Sequence, residues 1–189
     1  HACRLKENRA QSMTKVLQLN SRQTLDDLQS APFLSAQYHS ATRSLLVITQ
    51  NNEVGIYSWR DSGRTNGFAL KHQKLLYPRN FDTLELFCDQ RDCVFLACGD
   101  ECGRGLVVVI TLDLEQIPII QLPVGGSIKA ACYHHKDREL IIALSTGVLQ
   151  VFSLRVSRNR ATGRMVYRLP LRMTIEVKTK HNFVTELCV

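Results

Sequence analysis

The 189-residue chain contains no run of about 18 apolar residues, the length a helix needs to cross a bilayer. Its opening residues, HACRLKENRAQS, have no apolar centre of the kind a signal peptide carries. Nowhere does an apolar period of 3.6 persist long enough to specify a helix. No glycine-rich phosphate loop leads into a helix, because Gly99, Gly103 and Gly105 fall between extended segments, where hairpin geometry accounts for them. Cys88, Cys93, Cys98 and Cys102 are spaced x4, x4 and x3 and include no C-x2-C pair. A zinc site would call for such close pairs on converging loops. These absences remove the transmembrane-helix, phosphate-loop and zinc-finger classes and leave an all-β chain to be explained.

A repeat is what the sequence does have. Ser35 to Trp59, SAQYHSATRSLLVITQNNEVGIYSW, returns without a gap within Lys129 to Leu154, KAACYHHKDRELIIALSTGVLQVFSL. Ala36, Tyr38, His39, Arg43, Leu45 and Ser58 meet Ala131, Tyr133, His134, Arg138, Leu140 and Ser153. Apolar positions match in kind as well: Leu46-Val47 with Ile141-Ile142, and Val54-Gly55-Ile56-Tyr57 with Leu149-Gln150-Val151-Phe152. Identity held over so long an interval is the mark of a repeat architecture.

Taken in order, residues 1–31 read as a polar, basic arm and the end of a preceding unit, with strand-like alternation over Met13 to Leu19. The first full unit spans 32–80. Its strands are expected at Phe33–Tyr38, Leu45–Thr49, Val54–Trp59 and Phe68–Leu76, with Gln50-Asn51-Asn52 as a tight hairpin, since asparagine tolerates the left-handed conformation. The second spans 81–123, with strands at Thr83–Cys88, Cys93–Cys98, Leu106–Thr111 and Ile117–Leu122 and a longer hairpin over Gly99–Gly105. Pro118 makes the last of these an edge strand. The third spans 124–180, with strands at Ile128–Tyr133, Leu140–Leu144 and Val148–Leu154. A basic loop follows at Arg155–Arg164, RVSRNRATGR, and Met165–Leu169 and Met173–Val177 are expected to complete the unit. Residues 181–189 read as the start of a further unit. The repeating element is thus four short antiparallel strands, which points to an all-β, partial β-propeller of four-stranded antiparallel blades. So few blades cannot close a ring, so further chain or another subunit is expected to supply the rest.

The units resemble WD40 repeats from Phe33 onward. At the place of that family's Trp-Asp dipeptide stand Tyr57-Ser58, Ile110-Thr111 and Phe152-Ser153, and its Gly-His dipeptide is missing. The resemblance therefore implies degenerate WD40-like repeats whose blade shape is kept and whose Asp/His hydrogen-bond network is not. The segments AQYHSATRSLLV with VGIY, and FLACG followed by GRGLVVV, are also similar to the periodic-tryptophan-type WD proteins of the U3 small-subunit processome. That likeness implies a scaffold in ribosome biogenesis, nuclear or nucleolar in location.

Net charge is +7 and the pI near 9.2, a balance that favours anionic partners. Charge concentrates at Arg155, Arg158, Arg160 and Arg164, with Arg168 and Arg172 following, and these six are the candidates for contact with a partner or anion. Arginine binds phosphate and carboxylate in a two-pronged fashion. With no aromatic residue between them, stacking on bases is not indicated. Seven scattered cysteines, an odd number, read as free thiols buried in strands, the habit of an intracellular protein. His39 and His134 share one repeat position at a strand-to-turn junction, so they and His135 read as structural. No acid–base pair or ligand set recurs. The expected function is a non-catalytic scaffold for protein–protein interactions within a larger intracellular assembly, without cofactor, metal, membrane or small-molecule substrate. The second class is a basic RNA-binding module acting through Arg155–Arg164.

Overall fold

The computed structural model describes residues 32–61, 66–119, 122 and 126–176. The sequence expectations for Met13–Leu19 and for Phe183–Val189 lie outside the described residues. Fourteen strands are found among the described residues. The first sheet is β1 (Phe33–His39), β2 (Ser44–Thr49), β3 (Glu53–Asp61) and β4 (Asn66–Leu75). The second is β5 (Phe81–Asp89), β6 (Val94–Glu101), β7 (Arg104–Thr111) and β8 (Gln116–Ile119). The third takes β9 (Ile128–His134), β10 (Glu139–Leu144) and β11 (Val148–Ser153), then skips β12 (Arg155–Arg158) and β13 (Met165–Arg168) to finish with β14 (Leu171–Glu176). Each sheet is an antiparallel meander, and the first strands β1, β5 and β9 lie side by side. This is the propeller arrangement, with three four-stranded blades around an inner edge.

Why the middle strands read as apolar runs is visible in β6. Val94, Leu96 and Cys98 enter the core shared with the third blade, while Phe95 and Ala97 enter the core shared with the first. Alternate side chains of a strand point to opposite faces. A blade packed on both sides therefore needs apolar residues at every position. The first blade supplies Leu46, Ile48, Val54, Ile56 and Leu76 to its seam, and the third supplies Ala131, Tyr133, Leu140, Ile142, Leu144 and Phe152 to the other. The third blade repeats the grid on its far side. Cys132, Ile141, Val151 and Met173 form one cross-strand row there, and Ala130, Ala143, Leu149 and Ile175 the next. Met173 and Ile175 are 50% and 41% exposed.

The turns follow the sequence closely at some places and depart at others. Asn52 adopts φ 57°, as its hairpin requires. Gly99–Gly105 is not a long hairpin loop: Glu101 pairs with Arg104, leaving Cys102 and Gly103 as a two-residue turn with φ 51° and 79°. Gly99 and Gly105 are strand residues. Gly99 is small because a side chain there would overlap the carbonyl of Asp82. Cys93 lies in a turn with φ 56°, so β6 begins at Val94 rather than at Cys93. Pro118 sits in β8, the outer strand of its sheet, where a missing N–H is tolerated.

The largest difference concerns the basic segment. Arg155–Arg164 is not an open loop. Its first residues form β12, which pairs with β13 in a two-stranded ribbon through Arg155↔Arg168, Val156↔Tyr167, Ser157↔Val166 and Arg158↔Met165. Met165–Leu169 therefore belongs to the ribbon, not to the blade, and β14 alone closes the third sheet. The ribbon base is tied where the Ser153 N–H donates to the Pro170 carbonyl at 3.1 Å.

Each first strand also carries a bulge. The residue left without a partner is Leu34 in β1, Leu84 in β5 and Lys129 in β9. All three are exposed. In β5 the bulge lies beside Gly99, which pairs with Thr83. Replacing Gly99 by Ala is expected to force the β5 bulge apart and cost about 1–3 kcal/mol, as overpacking does. Gly67→Ala, where nothing lies within 4 Å, is the control and should stay within about 1 kcal/mol. Urea unfolding of both variants checks this.

Candidate partner-binding surface

Three turns join the first and second strands of the blades, and they are built alike. His39, Asp89 and His134 stand last in their strands, and Arg43, Cys93 and Arg138 take the left-handed conformation at φ 52°, 56° and 58°. In each turn the first side chain closes on the residue three further on. His39 Nδ1 meets Thr42 Oγ1 at 2.7 Å, the Asp92 N–H donates to Asp89 Oδ2 at 3.1 Å, and His134 Nδ1 meets Asp137 Oδ2 at 2.9 Å. His39 and His134 are thus turn-closing residues, as their shared repeat position suggests. His135 packs edge-on to Tyr133 at 5.1 Å.

These turns also join neighbouring blades. Across the first seam, His39 Nε2 bonds the Gln90 carbonyl at 3.1 Å. The Gln90 side chain donates to the Tyr38 carbonyl at 2.8 Å and accepts from the Ser40 N–H and hydroxyl, both at 3.0 Å. Across the second seam the contact is ionic. Asp89, buried, accepts from the Tyr133 hydroxyl at 3.0 Å and from Arg138 Nη2 at 2.8 Å. Arg138 pairs with Asp92 as well. Burial pushes the Tyr133 phenol well above its ordinary value, and the Asp89 charge adds to this. The Arg138 guanidinium is held above its usual range by Asp89, although burial opposes it. This network joins the second blade to the third. Sequence inspection missed it, since Asp89 and Arg138 are 49 residues apart. The one signal was that each falls on a repeated turn position, Asp89 with His39 and His134 and Arg138 with Arg43 and Cys93.

The cysteines divide. Cys88, Cys98 and Cys132 are buried, Cys93 is half-buried and Cys102 is exposed on the β6–β7 turn, so burial does not extend to all of them. All five are free. Burial pushes the Cys88 thiol up to about 12, with help from the Asp89 and Cys93 charges. Cys98 is pushed higher, again by burial first. Neutral thiols of this kind are poor nucleophiles. Among the described residues no group of three His, Cys, Asp or Glu side chains is arranged to hold a metal ion, and no helix is long and apolar enough to cross a membrane.

The ribbon brings most of the candidate arginines together. Leu154 and Leu169 at its base are buried in the second seam, and Val156 and Tyr167 pack against the same core. The Tyr167 phenol is raised by burial first and then by the Glu115, Asp113 and Asp92 charges of the second blade. Arg155 and Arg168 alternate to the outer side and are exposed. At the tip, Asn159 Oδ1 accepts from the Ala161 and Thr162 N–H groups at 2.9 and 3.2 Å, and the Asn159 N–H donates to the Arg164 carbonyl at 2.8 Å. Arg158 Nε donates to the Gly163 carbonyl at 3.0 Å. Arg172 stands apart: it is a bulge residue of β14 and pairs with Glu139.

No protein-family model matches the chain, and no curated protein matches it by sequence. Solved structures do match. The C-terminal WD40 domain of Sif2 superposes with a TM-score of 0.56 at 14% identity, covering 82% of this chain and 39% of that one. The Myceliophteria thermophila Cps50 (Swd1) β-propeller domain matches with a TM-score of 0.49 at 12% identity, covering 77% of this chain and 46% of that one. A putative 6-phosphogluconolactonase from Bacteroides fragilis matches with a TM-score of 0.47 at 14% identity, covering 77% and 39%. The chain spans less than half the length of each. At such identity the Sif2 likeness shows the fold: a partial, WD40-like β-propeller.

Arg138→Met is expected to cost about 3–5 kcal/mol, because it leaves the Asp89 carboxylate buried without its cation. Denaturant unfolding at pH 7 checks this. Tyr133, Cys88 and Cys98 all have folded-state values raised above the unfolded ones. Their stabilisation is present below the unfolded values and is lost as pH rises through the folded ones. Stability should therefore fall above about pH 8.5 from the thiols and further above about pH 10 from the phenol. Tyr133→Phe should flatten only the decline above pH 10. Parallel curves for the two proteins would count against it.

Proposed function

We propose that the chain is a non-catalytic scaffold that holds protein partners within a larger assembly. One observation carries this. The buried polar groups near the turns are consumed in holding turns and seams, while the exposed features are contact features. His39, Asp89, Tyr133 and Arg138 bind one another or the neighbouring blade. Left outward are the apolar far side of the third blade, with Met173 and Ile175, and the arginine-rich ribbon. Propellers host enzymes as well as scaffolds, so the fold does not decide the matter. The scaffold reading is supported by the engagement of His39, Asp89, Tyr133 and Arg138 in turns and seams, since an acyl- or phosphoryl-transfer centre needs a nucleophile and base converging on accessible space.

A place in ribosome biogenesis is the finer form of this proposal. It is supported by the likeness of AQYHSATRSLLV and GRGLVVV to the processome WD proteins and by the net charge of +7. Nuclear or nucleolar location goes with it.

Crosslinking mass spectrometry on the tagged full-length protein, purified from its own cells with and without RNase, tests both levels. Crosslinks to protein neighbours that survive RNase are the expected result, and their identity decides the pathway. A complex that falls apart on RNase treatment, with RNA adducts on Arg155–Arg164, overturns the scaffold in favour of an RNA-binding module.

A further inference from the structure

The outer side of the β12–β13 ribbon carries an electrostatic conflict. Arg155 and Arg168 are register partners, and directly opposed residues of an antiparallel pair project to the same side with their Cβ atoms about 4.5–5.5 Å apart. Like charges so placed destabilise the pair. Two arginines off the ribbon are held by carboxylates, Arg172 by Glu139 and Arg138 by Asp89 and Asp92. Among the described residues no carboxylate pairs with Arg155, Arg160, Arg164 or Arg168. The Glu115, Asp113 and Asp92 charges act on Tyr167, whose ring is on the inner side. Arg158 spends its Nε on the Gly163 carbonyl, closing the tip.

We propose that this outer side is a docking strip for an extended, acidic segment of a partner protein. The inference rests on the scaffold proposal and gives it a partner chemistry. Two carboxylates of the partner, or one shared between the guanidiniums, remove the conflict at Arg155 and Arg168. Arg160 and Arg164 at the tip hold further acidic residues. From the Arg155 level to the start of the tip at Arg158 is three strand residues, about 10 Å at about 3.3 Å each, and side chains on one face of an extended chain recur at every second residue, so the matching acids lie two or four positions apart. Between the two charged ends stand Ser157 and Val166, which offer a hydroxyl and a small apolar contact. The strip favours a peptide over nucleic acid. Its ring-bearing residue, Tyr167, is turned inward against the core, and single-stranded nucleic-acid binding takes much of its strength from bases stacked on exposed rings.

Titration of the full-length protein with a fluorescein-labelled peptide of sequence Glu-Glu-Ser-Val-Glu-Asp-Glu, read by anisotropy at low and moderate salt, tests this. Wild type is expected to bind, and R155E/R168E to lose at least tenfold in affinity. The control R79E/R104E removes the same charge from two exposed residues off the ribbon and should change affinity by less than threefold. A charge-reversed peptide with Lys at the acidic positions should recover binding to R155E/R168E. Arg155→Glu alone makes an opposite-charge pair with Arg168, so its thermal midpoint should hold or rise while peptide affinity falls. A fall in that midpoint, absence of peptide binding by wild type, or equal loss in the control overturns the proposal. A single-stranded RNA of equal charge that binds more tightly and is lost in R155E/R168E also overturns it, in favour of nucleic acid. Protein crosslinks that survive RNase but avoid the ribbon would sink the docking strip and leave the scaffold standing.

Discussion

The structure depends on burial that no single blade can achieve. A four-stranded meander has two apolar faces in this chain, and among the described residues the middle blade has both of them covered by another sheet. β6 makes the constraint concrete: Phe95 and Leu96 are adjacent, point in opposite directions and are both fully buried. Neither seam can be loosened without exposing one side of the same strand. Fully burying a side chain of this size stabilises by roughly 1.5–3 kcal/mol. The two seams therefore outweigh any polar contact in the molecule, and the blades stand or fall with their neighbours.

Within that frame the polar groups set register rather than strength. The first seam uses neutral amide and imidazole contacts through Gln90 and His39, and the second uses the Asp89–Arg138 pair with Tyr133. A buried pair of charges is weak evidence of net stability, since desolvation offsets much of the attraction. Its clearer effect is directional. Asp89 can be satisfied only if β9 lies at one height against β5, so the pair holds the third blade in one position against the second. The same turn position closes its own turn in all three blades and, through His39 and Asp89, also reaches across to the next.

Sequence alone made the blades legible because their signals are local: apolar runs of five or six residues separated by Asn, Gly or Asp turns. Asn52 marked its hairpin for a conformational reason that held. Gly99 misled for the opposite reason. Glycine reads as a turn residue, yet here it answers the close approach of the Asp82 carbonyl from another strand. The ribbon was hidden because its strands have four residues each and only one apolar cross-strand pair facing the core, Val156↔Tyr167. Five arginines along RVSRNRATGR and MVYR overrode that weak alternation and read as a solvated loop. The candidate arginines were therefore visible by charge, but not the division among them. Arg172 is taken by Glu139 and Arg158 by the tip, and that follows only from register.

That register also changes what the charge means. On a flexible loop, arginines separate at little cost, and their positive charge says little beyond attraction to anions in general. On a ribbon whose inner side is anchored by Leu154, Val156, Tyr167 and Leu169, the backbones of Arg155 and Arg168 are held opposite each other, so their guanidiniums separate only by side-chain rotation. The two positive charges are thereby kept on one side of the ribbon. The hydrophobic anchoring, which contributes to the seam, thereby preorganises the charged side and reduces the ordering cost that a loop would incur on association. A single alternation of side chains down two short strands thus couples the stability of the second and third blades to the recognition surface they present.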